Sequence, residues 1–166
     1  MKAFTEVAQK VPNAKLVVAG AFFFNSNIVS PFEQKLRDLA SNPVVKDRII
    51  FTGFVNYEDM PAIYVMANIC VLPSIWDDPA PLAVIESLVS GKPLITTRSG
   101  GIPEYADGQS AIILERGDQL VDQLADAMTK IARDSDERDA MGAHKTALRS
   151  EFNKETYMAQ LAIRLR

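Results

Sequence analysis

Five short apolar runs, separated by stretches of helical period, set the narrowest limit on the fold. Leu16-Val17-Val18-Ala19, Ile49-Ile50-Phe51, Ile69-Cys70-Val71-Leu72, Leu94-Ile95 and Ala111-Ile112-Ile113-Leu114 contain no charged residue. With their flanks they predict strands over 15–20, 48–52, 69–72, 93–97 and 110–114. Strands of continuous Val, Ile and Leu character belong to parallel sheets covered by helices on both faces. Crossovers between parallel strands are right-handed, so the expected fold class is α/β with a doubly wound parallel sheet. Ligands of such sheets bind beyond the carboxyl ends of the strands.

The intervening segments fit that frame. Residues 1–10 read as a helix with Phe4, Val7 and Ala8 on one side. Residues 31–41 read as a helix opened by Pro31, a favoured first-turn residue. Residues 57–67 carry Glu58 and Asp59 in their first turn, where the helix dipole favours acids. A helix over 79–90 and a short one from 102 follow, and the chain ends in helical segments near 118–133, 136–150 and 154–165. No repeat, low-complexity tract or linker divides the sequence, so 1–166 is expected to be one domain. Its first element is a helix where such a domain normally opens with a strand. The expectation is a domain truncated at its N-terminus, with one strand and its loop upstream.

Composition excludes several functions. With 48% hydrophobic and 23% charged residues, the chain has the mixture of a soluble globular domain. A net charge of −3 offers no basic face for nucleic acid. The single cysteine, Cys70, lies within an apolar run and reads as a buried small hydrophobe. It permits no disulfide framework. There is no apolar stretch of membrane-spanning length and no signal-peptide core. A cytoplasmic location, compatible with association at the inner face of the membrane, is expected.

The chemistry concentrates in residues 73–93, Pro-Ser-Ile-Trp-Asp-Asp-Pro-Ala-Pro-Leu-Ala-Val-Ile-Glu-Ser-Leu-Val-Ser-Gly-Lys-Pro. Its helix is apolar on nearly every side, interrupted only by Glu86 and Ser87. A helix apolar all round belongs inside a protein, and a glutamate is almost never fully buried without a partner. No lysine or arginine lies three or four residues from Glu86. Its carboxylate is therefore expected either to face a cleft, where two oxygens match the adjacent hydroxyls of a ribose, or to lie at a solvated helix edge or meet a distant arginine. Asp78, directly before Pro79, reads as an N-cap. Eight residues of helical rise would place Asp78 about 12 Å from Glu86. Gly100-Gly101 reads either as a plain tight turn or as a site of close ligand approach. Trp76 could equally line an entrance or cap the core, and His144 reads as solvated surface.

Asp78-x7-Glu86 resembles the E-x7-E motif of the retaining GT-B glycosyltransferases of the glycosyltransferase 4 family. Pro73-Ser74, Ser90-Gly91-Lys92-Pro93, Gly100-Gly101-Ile102-Pro103-Glu104, Phe51-Thr52-Gly53-Phe54 and the Tyr64-x2-Ala67-Asn68 step occupy the family's order and spacing. The likeness covers nearly the whole chain, from residue 3 to about 150. It implies a Rossmann-like second domain of a GT-B fold, a nucleoside-diphosphate sugar as donor substrate, no cofactor and no metal. It implies that Glu86 binds the ribose and that Asp78 is the catalytic acid near the donor sugar. Gly53, Phe54, Ala80, Leu82, Gly100 and Gly101 complete the implied donor site. A glycan or lipid-linked acceptor would be met by an N-terminal domain. Three departures stand out. Asp78 replaces the usual glutamate, Ala80-Pro81 replaces a Phe-Gly pair, and the family's G-R-x3-K-G stretch would precede Met1. The alternatives are a sugar-nucleotide epimerase of the same architecture and a non-catalytic doubly wound interaction domain of receiver type. The acidic pair on one helix counts against the first. The absence of an acid after strand 15–20 counts against the second.

Overall fold

The structure is a computed structural model that describes residues 1–21 and 29–148, with side chains described to residue 143. The helix expected at 154–165, the last residues of the 136–150 helix and the His144 side chain lie outside this description. The elements run α1 (Lys2–Lys10), β1 (Leu16–Ala19), α2 (Pro31–Ala40), β2 (Ile49–Gly53), a 3-10 turn (Tyr57–Asp59), α3 (Met60–Met66), β3 (Cys70–Leu72) and α4 (Leu82–Val89). Then come β4 (Leu94–Thr97), α5 (Ile102–Tyr105), β5 (Ala111–Leu114), α6 (Leu120–Arg133) and α7 (Ser135–Leu148). Every strand pairing is parallel, as the uninterrupted apolar runs predict.

The strands form two ladders rather than one continuous sheet. β1 pairs with β2, with Leu16 opposite Ile49, and β3-β4-β5 form the second ladder, with Cys70 opposite Leu94 and Leu94 opposite Ala111. The ladders are joined through a shared core. Phe4, Val7 and Ala8 of α1 and Leu124, Ala125 and Met128 of α6 pack with Ile95, and Leu16, Ile49, Val71 and Ile112 lean on the same cluster. The alternate residues of the second ladder, Cys70, Leu94 and Ala111, point to the other face. There they meet Val84 and Leu88 of α4 and Ile102 of α5. Side chains two apart share a face of a strand. Burial on both faces therefore accounts for the absence of polar alternation in β4, buried at all four positions.

Local chemistry sets the helix ends. Ser30 caps α2 by accepting the Glu33 N–H at 3.0 Å, with Pro31 next in the first turn. The expected 57–67 helix is a 3-10 turn followed by an α-helix, with Pro61 in the first turn of α3. The largest revision is α4, expected from Pro79 but beginning at Leu82. Two prolines explain the delay. Pro79 and Pro81 each push the preceding residue out of the α region, so Asp78 and Ala80 cannot enter the helix. The first helical amides, Val84 and Ile85, bond to the Pro81 carbonyl.

Two substitutions probe the two faces. Leu88 and Ile95 are both wholly buried, in different clusters. Leu88→Ala and Ile95→Ala should each cost about 2–5 kcal/mol in urea unfolding. Tyr57→Ala, at a side chain 78% exposed, should stay within about 0.5 kcal/mol of the parent.

Candidate functional site

The 73–81 loop leaves the carboxyl end of β3 and is held from two sides by the loops that follow β4 and β5. Thr96 Oγ1 donates to the Leu72 carbonyl at 2.9 Å, and Thr97 Oγ1 and Ser99 Oγ donate to the Ser74 carbonyl. Ser74 Oγ turns the chain by accepting the Trp76 N–H at 3.2 Å. Beyond Trp76 the contact becomes backbone against backbone. Gly101 N–H donates to the Asp78 carbonyl at 2.9 Å, and Gly100 N–H donates to Asp77 Oδ1 at 2.9 Å. A Cβ on Gly101 would lie 2.0 Å from the Pro79 carbonyl oxygen, and one on Gly100 2.2 Å from that of Asp78. Gly100 also has φ +47°, the left-handed region that favours glycine. The Gly100-Gly101 pair is thus accounted for by the close approach of two loops, and both its amides are engaged there.

Asp77 is the polar centre of this clasp. Its Oδ1 also meets the Arg116 guanidinium at 3.0 Å, and Arg116 donates to the Ile75 carbonyl at 3.2 Å. The Gly100 N–H, and after it Arg116, hold the Asp77 carboxyl below the ordinary aspartate range. Asp78 does not cap α4. Its Oδ1 accepts the Ala80 N–H at 2.9 Å, closing a local turn ahead of Pro81. Helical rise therefore applies only from Leu82 to Glu86, about 6 Å, and not along the whole Asp78–Glu86 interval.

Glu86 is half-buried, one turn into α4, on the side facing α3. The Tyr64 hydroxyl donates to its Oε2 at 3.0 Å and lies 3.5 Å from the Ala83 carbonyl. No lysine or arginine among the described residues pairs with Glu86. The partner that the sequence left open is a neutral phenol rather than an arginine. Burial first, and then the hydrogen bond and charge of Glu86, push the Tyr64 phenol above the ordinary tyrosine range. Its proton is thus held throughout neutral pH, and the contribution of this bond to stability fades only as the pH rises past about 10 towards the raised value.

The remaining expected residues divide. Gly53 ends β2 with φ +67°, and Phe54 is 40% exposed at the same carboxyl edge rather than packed in the core. Ala80 is exposed, as are Leu82 (68%) and Trp76 (77%), so Trp76 does not cap the core. Cys70 is buried as expected. Tyr64, Asp77 and Arg116 went unread as site residues. Tyr64 and Arg116 reach their partners from distant elements, beyond any local spacing rule. Asp77 was overshadowed by the neighbouring Asp78-Pro79 step. A cavity of about 370 Å³ lined by Asn68, Gly91, Lys92, Pro93, Arg138 and Asp139 precedes β3 and β4, on the opposite edge from these loops. No helix among the described residues is long and apolar enough to cross a membrane.

The family described as "Glycosyl transferases group 1" matches residues 1–147. The chain belongs to the group 1 glycosyl transferases. Among curated group 1 relatives, it is 29% identical over 171 aligned positions to a GDP-mannose-dependent alpha-(1-6)-phosphatidylinositol monomannoside mannosyltransferase of Mycobacterium tuberculosis. That alignment covers 99% of this chain and 42% of the relative. The chain thus spans less than half the length of the curated relatives it matches first. Its fold is that of GT-B glycosyltransferases. Anabaena Alr3699/HepE, solved in complex with UDP-glucose, superposes with a TM-score of 0.81 at 20% identity over 99% of this chain and 44% of its own. The C-terminal domain of a group 1 protein (LpcC) from Francisella tularensis superposes with a TM-score of 0.72 at 24% identity, covering 91% of this chain and 77% of that one.

Two tests address the clasp. Gly101→Ala should destabilise the group 1 domain by at least about 1–3 kcal/mol in urea unfolding, because the added methyl meets fixed backbone. Gly108→Ala, whose Cβ would meet nothing within 4 Å, should be nearly neutral. Asp77 titrates lower folded than unfolded, so its contribution is complete above the unfolded value near 3.9 and is lost as the pH falls through the folded one. Asp77→Asn should therefore lower the melting temperature at pH 7 and narrow the gap between pH 7 and pH 3.

Proposed function

We propose that this chain is the donor-binding half of a retaining glycosyltransferase, which transfers a sugar from a nucleoside-diphosphate sugar to a glycan or lipid-linked acceptor. The observation that carries the reading is Glu86. It is a carboxylate on a helix otherwise apolar but for Ser87, met by one neutral phenol and by no cation among the described residues. Such a group has acceptor capacity left for two vicinal hydroxyls. In this reading the ribose lies against Glu86 and the base lies near Gly53 and Phe54. The transferred sugar lies towards Asp78, Ala80 and Leu82, under the loop that Gly100 and Gly101 hold in place. Support comes from the group 1 membership, from mannosyltransferase and other glycosyltransferase relatives, and from a structural neighbour solved with UDP-glucose.

The reading also has a further strand join the two ladders in the intact protein, with an acceptor-binding domain beyond it. The support is that β1 and β3 each have one ladder partner among the described residues. Transfer then requires parts that these residues do not offer. Cleaving the bond from anomeric carbon to phosphate oxygen leaves negative charge on the diphosphate, which donors or cations must meet. Arg98 and Arg116, which follow β4 and β5, are paired with Glu115 at 2.7 Å and Asp77 at 3.0 Å. Peripheral attachment to the cytoplasmic side of a membrane suits a lipid-linked acceptor.

Glu86→Ala in the intact protein should weaken UDP or GDP binding at least about tenfold by calorimetry. Hydrogen bonds to a charged group contribute about 1.5–3 kcal/mol each. Asp78→Asn should lower turnover more than nucleotide affinity. The isolated 166 residues should transfer no sugar, and the intact enzyme should be insensitive to EDTA. Unchanged nucleotide affinity in Glu86→Ala, or robust transfer by the isolated chain, would count decisively against this assignment.

A further inference from the structure

We infer that Tyr64 is a positioning residue that fixes the Glu86 carboxylate in the orientation in which it accepts the ribose hydroxyls; this rests on the ribose reading of Glu86. The geometry is specific. Tyr64 stands on α3 and Glu86 on α4, and the phenolic oxygen lies 3.0 Å from Oε2. One phenolic proton can serve one acceptor well, and the Ala83 carbonyl at 3.5 Å is the poorer one. Oε2 is thus occupied on one side, and the carboxylate is held by a donor whose ring packs on the core.

The rigidity of that donor follows from its packing. The Tyr64 ring leans on the cluster built from Cys70, Val84 and Leu88, so its two side-chain torsions are constrained by core contacts. Glu86, by contrast, has three torsions, and among the described residues Tyr64 is the one polar side chain bonded to it. A free glutamate loses rotamer freedom when it binds a ligand, and that ordering opposes association. Tyr64 removes that cost before the nucleotide arrives. It also gives a neutral partner to a half-buried charge. An arginine there would neutralise the carboxylate and compete with the ribose for its oxygens, whereas a phenol stabilises the charge and leaves Oε1 open.

Position in the chain adds a second consequence. α3 begins a few residues after Gly53 and Phe54, through the 3-10 turn at Tyr57–Asp59. The element that orients the ribose acceptor is therefore the continuation of the loop assigned to the base. Tyr64 links the two ends of a nucleoside through one short helix.

The test compares UDP with its 2′,3′-dideoxy analogue by calorimetry, in the intact protein and in Tyr64→Phe, Glu86→Ala and the double variant. Tyr64→Phe keeps the ring and removes only the hydroxyl. The expected result is that Tyr64→Phe weakens UDP about five- to tenfold, roughly one ordinary hydrogen bond's worth, and leaves the dideoxy analogue nearly unchanged. In the Glu86→Ala background the same change should have no further effect on the preference for ribose. A purely structural role, holding α3 on α4, would weaken both nucleotides equally and overturn the inference. So would a ribose preference unchanged in Tyr64→Phe but lost in Glu86→Ala, with the reading of Glu86 still standing. A ribose preference that survives Glu86→Ala would overturn both.

Discussion

The site depends on one contact, the approach of the Gly100-Gly101 backbone to the backbone of Asp77–Pro79. Everything downstream in the motif inherits its position from that contact. The Gly101 amide fixes the Asp78 carbonyl, and the Asp77 carboxylate spans from the Gly100 amide to Arg116. With Asp77 and Asp78 held, the Ala80 amide turns back onto Asp78 and Pro81 can start α4 only at Leu82. The start of α4 then sets which residue lies one turn inside and faces α3, and that residue is Glu86. A Cβ at 100 or 101 would lie 2.2 or 2.0 Å from a facing backbone oxygen, so the loops would have to part and stretch these hydrogen bonds. The Gly101 amide, which is buried, would then lack the partner it now has, and a buried unpaired amide is costly.

Much of this was legible in the sequence, for physical reasons that also explain what was not. Strands β3 to β5 announced themselves because both their faces are buried, so Val71 and Leu94 had no reason to alternate with polar residues. Asp78-Pro79 looked like a helix start because an acid before proline is the ordinary capping pattern. The second proline, two residues later, moved the start by excluding Ala80. The isolation of Glu86 on its helix left open a cleft, a solvated edge or a distant arginine, and the structure adds a partner outside those readings, Tyr64. That partner was out of reach, because Tyr64 lies 22 residues away on another helix and their meeting is a matter of helix packing. The role of the glycine pair was likewise hidden. A sequence shows that Gly permits close approach but not whether a ligand or another loop makes it.

The two ladders bear on the site as well as on the fold. α1 and α6 cover one face across both ladders, so the β1–β2 pair is anchored through Phe4, Leu16 and Ile49 and not by hydrogen bonds to β3. The opposite face is organised differently. α4 and α5 pack on β3 to β5, while Val17 and Ile50, on the first ladder, are 44% and 49% exposed. Glu86 and Tyr64 stand on the helices of that second face. The carboxylate is consequently built beside the three-stranded ladder, and Gly53-Phe54 on the two-stranded one, which core packing and the Arg48 hydrogen bond to the Ala8 carbonyl at 2.7 Å attach to α1.

Charge at the carboxyl edge completes the argument. Arg98 and Arg116 are the basic residues closest in sequence to the ends of β4 and β5, and each is committed to a carboxylate of this same chain. Arg116 in particular is spent on building the loop. Removing it to serve a phosphate would take from Asp77 one of the two donors that hold it and loosen the clasp of Asp77–Pro79. The edge therefore combines a carboxylate met by a neutral phenol with two arginines that are each paired to a carboxylate of this chain. In the proposed reading the diphosphate contacts come from residues outside those described.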